Sequence, residues 1–339
     1  MTMGDIRVCV VGTGRAGMVH ARNLQFEVPG ARVVAVVDGN EEARLKAARE
    51  LGVDDHFPTL PEALERVGID AVCIATPTFT HLELVRTAAA AGKHVFCEKP
   101  ISITIDEALE MIRATAKAAV VFQIGFMRRF DEGFLAAKRL IEEGAIGDPL
   151  IIRSTTRGPG LPPAWAWDTA KSNGMLAEVN SHDFDTLRWL TASEYVRVFA
   201  RVKARKAEEP RRLHADFYDV ATVSAELEDG TLGTIEGACP VDYGYDSRVE
   251  ILGSDGMLIV GDFAQHTVIR VSKDGDVLRQ TYASWRDRFR AAYRQEIAEF
   301  VDAIRTGREP RVTGVDGLRA LEAVPAATAE RERRITPAV

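Results

Sequence analysis

The fold is decided by Ile6-Arg-Val-Cys-Val-Val-Gly-Thr-Gly-Arg-Ala-Gly17, an apolar, β-branched run that breaks into glycines and then into an Ala-rich segment. A run that stays apolar on consecutive positions suits a strand buried on both faces. Gly12 permits the tight turn, Gly14 lets backbone approach a pyrophosphate, and Gly17 allows close packing of helix on strand. The helix start offers free N–H groups to negative phosphate. Gly12, Thr13, Gly14, Arg15, Ala16 and Gly17 therefore read as a dinucleotide-binding loop, where the glycines alone would allow a purely structural turn.

Outward from this loop, apolar runs at Arg32–Val37, Ala71–Ala75, His94–Cys97 and Val120–Ile124 alternate with helix-patterned segments. The latter are Ala16–Phe26, Glu41–Leu51, Leu82–Ala91 and Asp106–Ala118. Strands and helices in alternation predict an α/β domain with a doubly wound parallel sheet, a Rossmann fold over residues 1–126. Asp38 ends the second strand, where its carboxylate would accept the adenosine ribose hydroxyls. The same charge repels a 2′-phosphate, and neither Gly39 nor Asn40 brings a cation, so NAD is expected rather than NADP.

After Phe126 the grammar changes. A helix is expected at Glu132–Glu143, a Pro/Gly-rich loop follows at Gly158–Pro163, and one helix is expected over Gly174–Leu190. Beyond it, Ala221, Val223, Ala225 and Leu227 alternate with Thr222, Ser224 and Glu226, the signature of a half-buried strand. Asp229–Gly230, Asp255–Gly256 and Asp274–Gly275 mark the turns. Two helices, near Arg288–Arg305 and Asp316–Arg331, close the chain. Residues 127–339 thus predict a second α/β domain with a large, open, mixed or antiparallel sheet. Its uncovered face asks for a solvent coat or a second subunit.

Composition limits the partners. The 339 residues suffice for two domains, and 43 Lys+Arg against 50 Asp+Glu give a net charge of −7, which offers no basic field for nucleic acid. No apolar stretch approaches membrane-spanning length, and Asp5 leads into a strand without the pattern of a signal peptide. Cys9, Cys73, Cys97 and Cys239 form no CxxC pair and read as buried thiols. A soluble cytoplasmic protein is expected.

Two features carry chemistry. Glu98-Lys99-Pro100 lies at the carboxyl end of the fourth long strand, the edge at which parallel sheets bind ligands. A lysine there would stabilise an alkoxide forming on a substrate, although a plain surface lysine is the competing reading. Glu178, His182 and Asp185 share one stripe if Gly174–Leu190 is a continuous helix, so two carboxylates would flank an imidazole that titrates near neutrality and takes a proton from an alcohol. A helix-surface histidine is the plainer alternative. No metal is expected, because the set lacks the HExxH spacing.

With these residues assembled, the chain resembles the glucose-fructose oxidoreductase, inositol dehydrogenase and rhizopine catabolism (Gfo/Idh/MocA) family along essentially its whole length. The resemblance rests on Gly12–Gly17 with His20, Thr76-Pro77 with His81, Glu98-Lys99-Pro100, and the Asn173–Asp185 segment. It implies catalytic roles for Lys99 and His182, substrate contact for Asp185, and a cofactor wall from Thr76, Pro77 and His81. Gly125–Asp131 and Tyr243–Glu250 look most like the inositol 2-dehydrogenases, which would place Arg128 and Tyr245 near a polyol. A charged strand end and a packing aromatic are their plainer readings. Trp167 and Trp165 are expected against a substrate ring or a neighbouring subunit. Glu178 departs from the aspartate usual in such enzymes. The expected reaction is NAD-dependent oxidation of a cyclic polyol such as myo-inositol by a homotetramer or dimer. A dehydrogenase for another sugar, a redox-neutral NAD-dependent glycosidase and a non-catalytic NAD-binding regulator remain as alternatives.

Overall fold

The computed structural model describes residues 4–329. In the first half, β1 (Ile6–Val11), β2 (Ala31–Val37), β3 (His56–Phe57), β4 (Ala71–Ile74), β5 (His94–Glu98) and β6 (Phe122–Gly125) form one sheet in the order β3-β2-β1-β4-β5-β6. Every pairing is parallel. Helices α1 (Arg15–Arg22), α2 (Glu41–Leu51), α3 (Leu60–Arg66), α4 (His81–Ala90) and α5 (Ile105–Lys117) connect the strands. The strands β4 and β6 are buried at every position, which explains the unbroken apolar run of β4, while β6 buries one polar residue, Gln123. Local chemistry sets the helix ends: Asn40 caps α2 by accepting from the Ala43 N–H, and Thr104 with Glu107 makes a capping box on α5. This is the expected Rossmann sheet, with short β3 and α3 added to the sequence reading.

The second sheet takes shape after α6 (Glu132–Glu142) and β7 (Pro149–Arg157), followed by three short helices, α7 (Thr169–Ser172), α8 (Gly174–Glu178) and α9 (Ser181–Thr191). Then come β8 (Tyr195–Lys203), α10 (Glu208–Leu213), β9 (Val220–Leu227), β10 (Leu232–Ala238), β11 (Asp246–Gly253) and β12 (Met257–Val260). The sheet order is β12-β11-β7-β10-β9-β8, with β7 and β10 parallel and the other neighbours antiparallel. Helix α9 lies against the inner face because β10 alternates glycine there. A Cβ at Gly233 would come within 2.7 Å of Leu187, and one at Gly237 within 2.3 Å of the Asn180 side chain.

One expectation for this region fails. Residues 174–190 are not one helix: α8 ends at Glu178, and α9 restarts at Ser181 after Val179 and Asn180. Val179 N and Asn180 N both donate to the Met175 oxygen, and the Asn180 oxygen accepts from Asp183 N and Phe184 N to start α9, while the Asn180 amide donates to Asp183 Oδ2 at 2.7 Å.

The outer face of the second sheet stays open. Leu232, Ile151, Leu252 and Met257 stand side by side across β10, β7, β11 and β12, and each is at least 42% exposed. A hairpin of β13 (Ala264–Val271) and β14 (Val277–Thr281) adds exposed Val268, Ile269, Val271, Val277 and Leu278. The chain closes with α11 (Trp285–Arg288), α12 (Arg290–Thr306) and α13 (Gly314–Ala329); the expected end at Arg331 lies outside the described residues. Helix α12 returns to the first domain, where Ile297, Phe300 and Val301 share a core with Ile6, Val8 and Val10. A single cut after Phe126 therefore separates the two sheets but not the two cores. All four cysteines are buried and free, and no helix among the described residues is long and apolar enough to cross a membrane.

Candidate active site

The dinucleotide loop has the shape its sequence requires. Gly12 has φ +91°, and a Cβ there would meet the Ala75 carbonyl oxygen at 2.6 Å; a Cβ on Gly17 would collide with the Gly12 carbonyl. Gly14, by contrast, has open space above it, as close approach of a phosphate demands. Arg15 and Ala16 open α1, with Arg15 exposed. Asp38 is held in place: its Oδ2 accepts from Thr13 N and Thr13 Oγ1, both at 2.8 Å, and its Oδ1 from Asn40 N at 2.9 Å. The sequence reading found no cation beside Asp38, yet Arg44 on α2 donates to its backbone oxygen at 2.8 Å. That guanidinium is tied inward, at 9% exposure. The open backbone at Gly14, the free start of α1 and the fixed Asp38 together fit a bound NAD.

The loop after β4 is braced rather than open. Thr76 Oγ1 meets Thr80 Oγ1 at 2.7 Å, and the Pro77 carbonyl accepts from Thr80 N at 2.9 Å. His81, expected along the cofactor wall, is buried, with Nδ1 3.0 Å from the Pro100 oxygen and Nε2 3.1 Å from the Thr76 oxygen. The ring lies between the Thr76 and Pro100 backbone oxygens, one of which takes its single N–H, and His81 thus packs this loop against the chain just beyond Lys99. Glu98 likewise points into the protein, bonded to His20 and to the Lys99 N–H.

Lys99 is where the two domains meet. Its Nζ donates to the backbone oxygen of Glu178 at 2.6 Å, while Glu178 Oε1 accepts from Thr78 Oγ1 at 2.7 Å. Two residues of the first domain thus grip one residue of the second. Burial pushes the Glu178 carboxyl up to about 7, against the opposing pull of the Lys99 charge and the Thr78 bond. Farther along, Trp165 meets Phe79 edge-on at 5.9 Å, a second contact between domains. Trp167 donates its indole N–H to the Pro162 oxygen at 3.0 Å and so stiffens the proline-rich loop.

His182 sits at the start of α9, buried beside the edge of Phe126 at 5.9 Å. Burial, with the nearby Lys99 and Arg128 charges, holds it well below the usual histidine range. It is neutral at physiological pH, and the expectation of titration near neutrality is not met. Nor do carboxylates flank it: Glu178 turns to Thr78, and Asp185 pairs with Arg129 through Nε at 2.9 Å and Nη2 at 2.5 Å. His182 Nδ1 is buried without a hydrogen-bond partner. Asp185, 1% exposed, has its carboxylate committed to an ion pair rather than free for a substrate.

Arg128 and Tyr245 are both buried. Arg128 is 1% exposed and donates to Asp183 Oδ1 at 2.8 Å and Thr156 Oγ1 at 2.5 Å. Tyr245 is buried near Arg128 and set edge-on to Phe289. Sequence reasoning missed Asp183, Thr78 and Asn180, which stand among other polar residues and carry no distinguishing spacing. Among the described residues, no group of three or more His, Cys, Asp or Glu converges as for a metal.

Known families match this arrangement in both halves. Residues 6–126 fit the model described as oxidoreductase family, NAD-binding Rossmann fold, and residues 134–259 fit the GFO/IDH/MocA C-terminal domain. The chain belongs to the Gfo/Idh/MocA oxidoreductase family. The myo-inositol 2-dehydrogenase of Thermotoga maritima is 35% identical over 317 residues, 93% of each chain. The scyllo-inositol 2-dehydrogenase (NAD(+)) of Bacillus subtilis is 35% identical over 324 residues, 96% of this chain and 93% of that one. Among solved structures, the scyllo-inositol dehydrogenase of Lactobacillus casei with bound NAD(H) and scyllo-inositol superposes with a TM-score of 0.88 at 31% identity, covering 95% of both chains. As a Gfo/Idh/MocA oxidoreductase, this chain carries an NAD-binding Rossmann domain and is an NAD-dependent dehydrogenase.

The electrostatics give a pH prediction. Glu178 is protonated below about 7 and ionised above it, whereas His182 is already neutral throughout that range. For the free enzyme, kcat/KM is expected to rise with pH through a midpoint near 7. Glu178→Gln should flatten this limb. A limb that survives the substitution would assign the titration to another group.

Proposed function

We propose that this enzyme oxidises a secondary hydroxyl of a cyclic polyol, myo-inositol or a close relative, to the ketone. The observation that carries the reading is the junction of Lys99 with Glu178, near His182, at the carboxyl edge of the parallel sheet, together with inositol dehydrogenases that match at least 93% of the chain. NAD, bound along α1, supplies the hydride acceptor.

The chain's own residues do the rest. Lys99 Nζ, aimed by the Glu178 carbonyl, donates a hydrogen bond to the reacting oxygen and stabilises the alkoxide that develops there. His182, kept neutral, accepts the hydroxyl proton as the carbonyl forms. The Glu178 carboxylate, held by Thr78, lies within the field of the Lys99 charge. Burial of this cluster excludes water and strengthens each of these interactions. Asp38 is proposed to hold the adenosine ribose, with Gly12, Thr13, Gly14 and the start of α1 cradling the pyrophosphate.

Assays of a panel of inositols and free sugars with NAD should show NADH formation with an inositol. Lys99→Met should lower kcat by about 10³-fold while NAD still binds, because the interaction lost belongs mainly to the transition state. Release of an aglycone from glycosides without net NADH would favour a redox-neutral glycosidase, and cofactor binding with no turnover would favour a regulator.

The same proposal includes self-association and a cytoplasmic setting. The exposed row Leu232, Ile151, Leu252 and Met257 with the apolar β13–β14 hairpin is suited to a second copy of this chain. The four buried free thiols suit a reducing compartment. Light scattering should give a dimer or tetramer, and charge substitution at Leu252 and Met257 should shift it toward monomer. A wild-type monomer at micromolar concentration would remove the assignment.

A further inference from the structure

The dinucleotide helix and the lysine loop are joined by a buried side-chain pair that binding of substrate or cofactor does not explain. His20 lies on α1 one turn beyond Gly17 and is completely buried. Its ring is wedged between Phe96, with centroids 4.7 Å apart, and Tyr293, at 5.5 Å. Nε2 lies 2.7 Å from Glu98 Oε1, so the imidazole N–H donates to the carboxylate. The other oxygen, Oε2, accepts the backbone N–H of Lys99 at 3.1 Å. Gly125 opposite leaves room for this carboxylate; a Cβ there would press on it at 3.2 Å.

A carboxylate so far from water keeps its charge only when its oxygens are hydrogen-bonded. Burial raises Glu98, but the His20 bond, with the His20 and Lys99 charges, outweighs burial and holds it below the usual range. Other groups facing it are Glu296 and Tyr293 from α12 and Cys73 from β4, all buried. Glu296 has no hydrogen-bond partner on either oxygen, and burial beside Glu98 pushes it well above the usual range. Of these two carboxyls it is Glu98 that is hydrogen-bonded, by His20 and by the Lys99 N–H, while Glu296 has no partner.

We infer that His20 is a positioning residue for Lys99: by fixing Glu98 it sets the backbone from which the lysine reaches the reacting oxygen, and it links that backbone to the helix that receives the cofactor. The kinetic part of this inference rests on the polyol-dehydrogenase reading; the structural part does not.

The test uses His20→Leu, which removes the donor and keeps most of the volume, and His20→Gln, whose amide can still donate. Hydrogen exchange read at the Lys99 amide should quicken about tenfold in His20→Leu, with α4 unchanged, and should recover in His20→Gln. In turnover, kcat should fall about tenfold in His20→Leu with KM for NAD within twofold, and His20→Gln should regain most of the loss. Adding His20→Leu to Glu98→Gln should cost nothing further, since both act through one carboxylate. Should His20→Leu fail to fold, His20→Asn, one methylene too short for Glu98, takes its place. Unchanged Lys99 protection, equal losses in the Leu and Gln variants, or additive losses with Glu98→Gln would overturn the inference. A wild-type enzyme inactive on every polyol would overturn the substrate reading instead, and the exchange measurement would still decide the role of His20.

Discussion

Two adjacent arginines in the turn at Met127–Phe130 meet two aspartates on α9, and the placement of the site depends on that double pairing. Arg128 bonds Asp183, and Arg129 bonds Asp185 and also Asp316 on α13 at 2.9 Å. Asp183 further accepts from Ser154 at 2.5 Å and Thr156 at 2.8 Å on β7, and from Asn180. Buried ion pairs contribute little net stability, because desolvation offsets attraction, but removing one partner leaves a charge stranded at a cost of about 3–5 kcal/mol. Their effect here is geometric. They pin α9 at once to the end of the first sheet and to the inner face of the second, and His182 is the residue directly before Asp183.

This arrangement separates residues that touch chemistry from residues that hold them. Lys99, Glu178 and His182 converge at the seam between the domains, while Arg128, Arg129, Asp183 and Asp185 form a polar skeleton behind them. Glu178 gains from its length. Its backbone oxygen receives Lys99 while its carboxylate reaches Thr78, so the extra methylene relative to aspartate lets one residue bind the first domain twice. Burial then moves its titration, and not that of His182, into the neutral range.

Much of the fold was legible because its signals are local. The strands at Ile6–Val11 and His94–Glu98 show in their apolar stretches Val8–Val11 and Val95–Cys97, Gly12 and Gly17 in positions that tolerate no Cβ, and the second sheet in the strict alternation of β9. Lys99 was legible from its place at a strand end. The partners of the site residues were not. Spacing arguments put Glu178, His182 and Asp185 on one stripe by assuming a continuous helix, and the backbone breaks that continuity at Val179 and Asn180. Arg128 and Arg129 find their aspartates more than fifty positions away, and Glu98 finds His20 across 78; periodicity carries no trace of such contacts. The return of α12 to the first core has the same cause, since an amphipathic helix does not state which sheet it covers.

A crystal structure of the enzyme with NAD and an inositol bound would probe the assignment of this seam most directly. The reacting hydroxyl is expected within hydrogen-bond distance of both Lys99 Nζ and a ring nitrogen of His182, with the Asp38 carboxylate on the adenosine ribose. An inositol seated away from Lys99 and His182, or a ribose that does not touch Asp38, would contradict it.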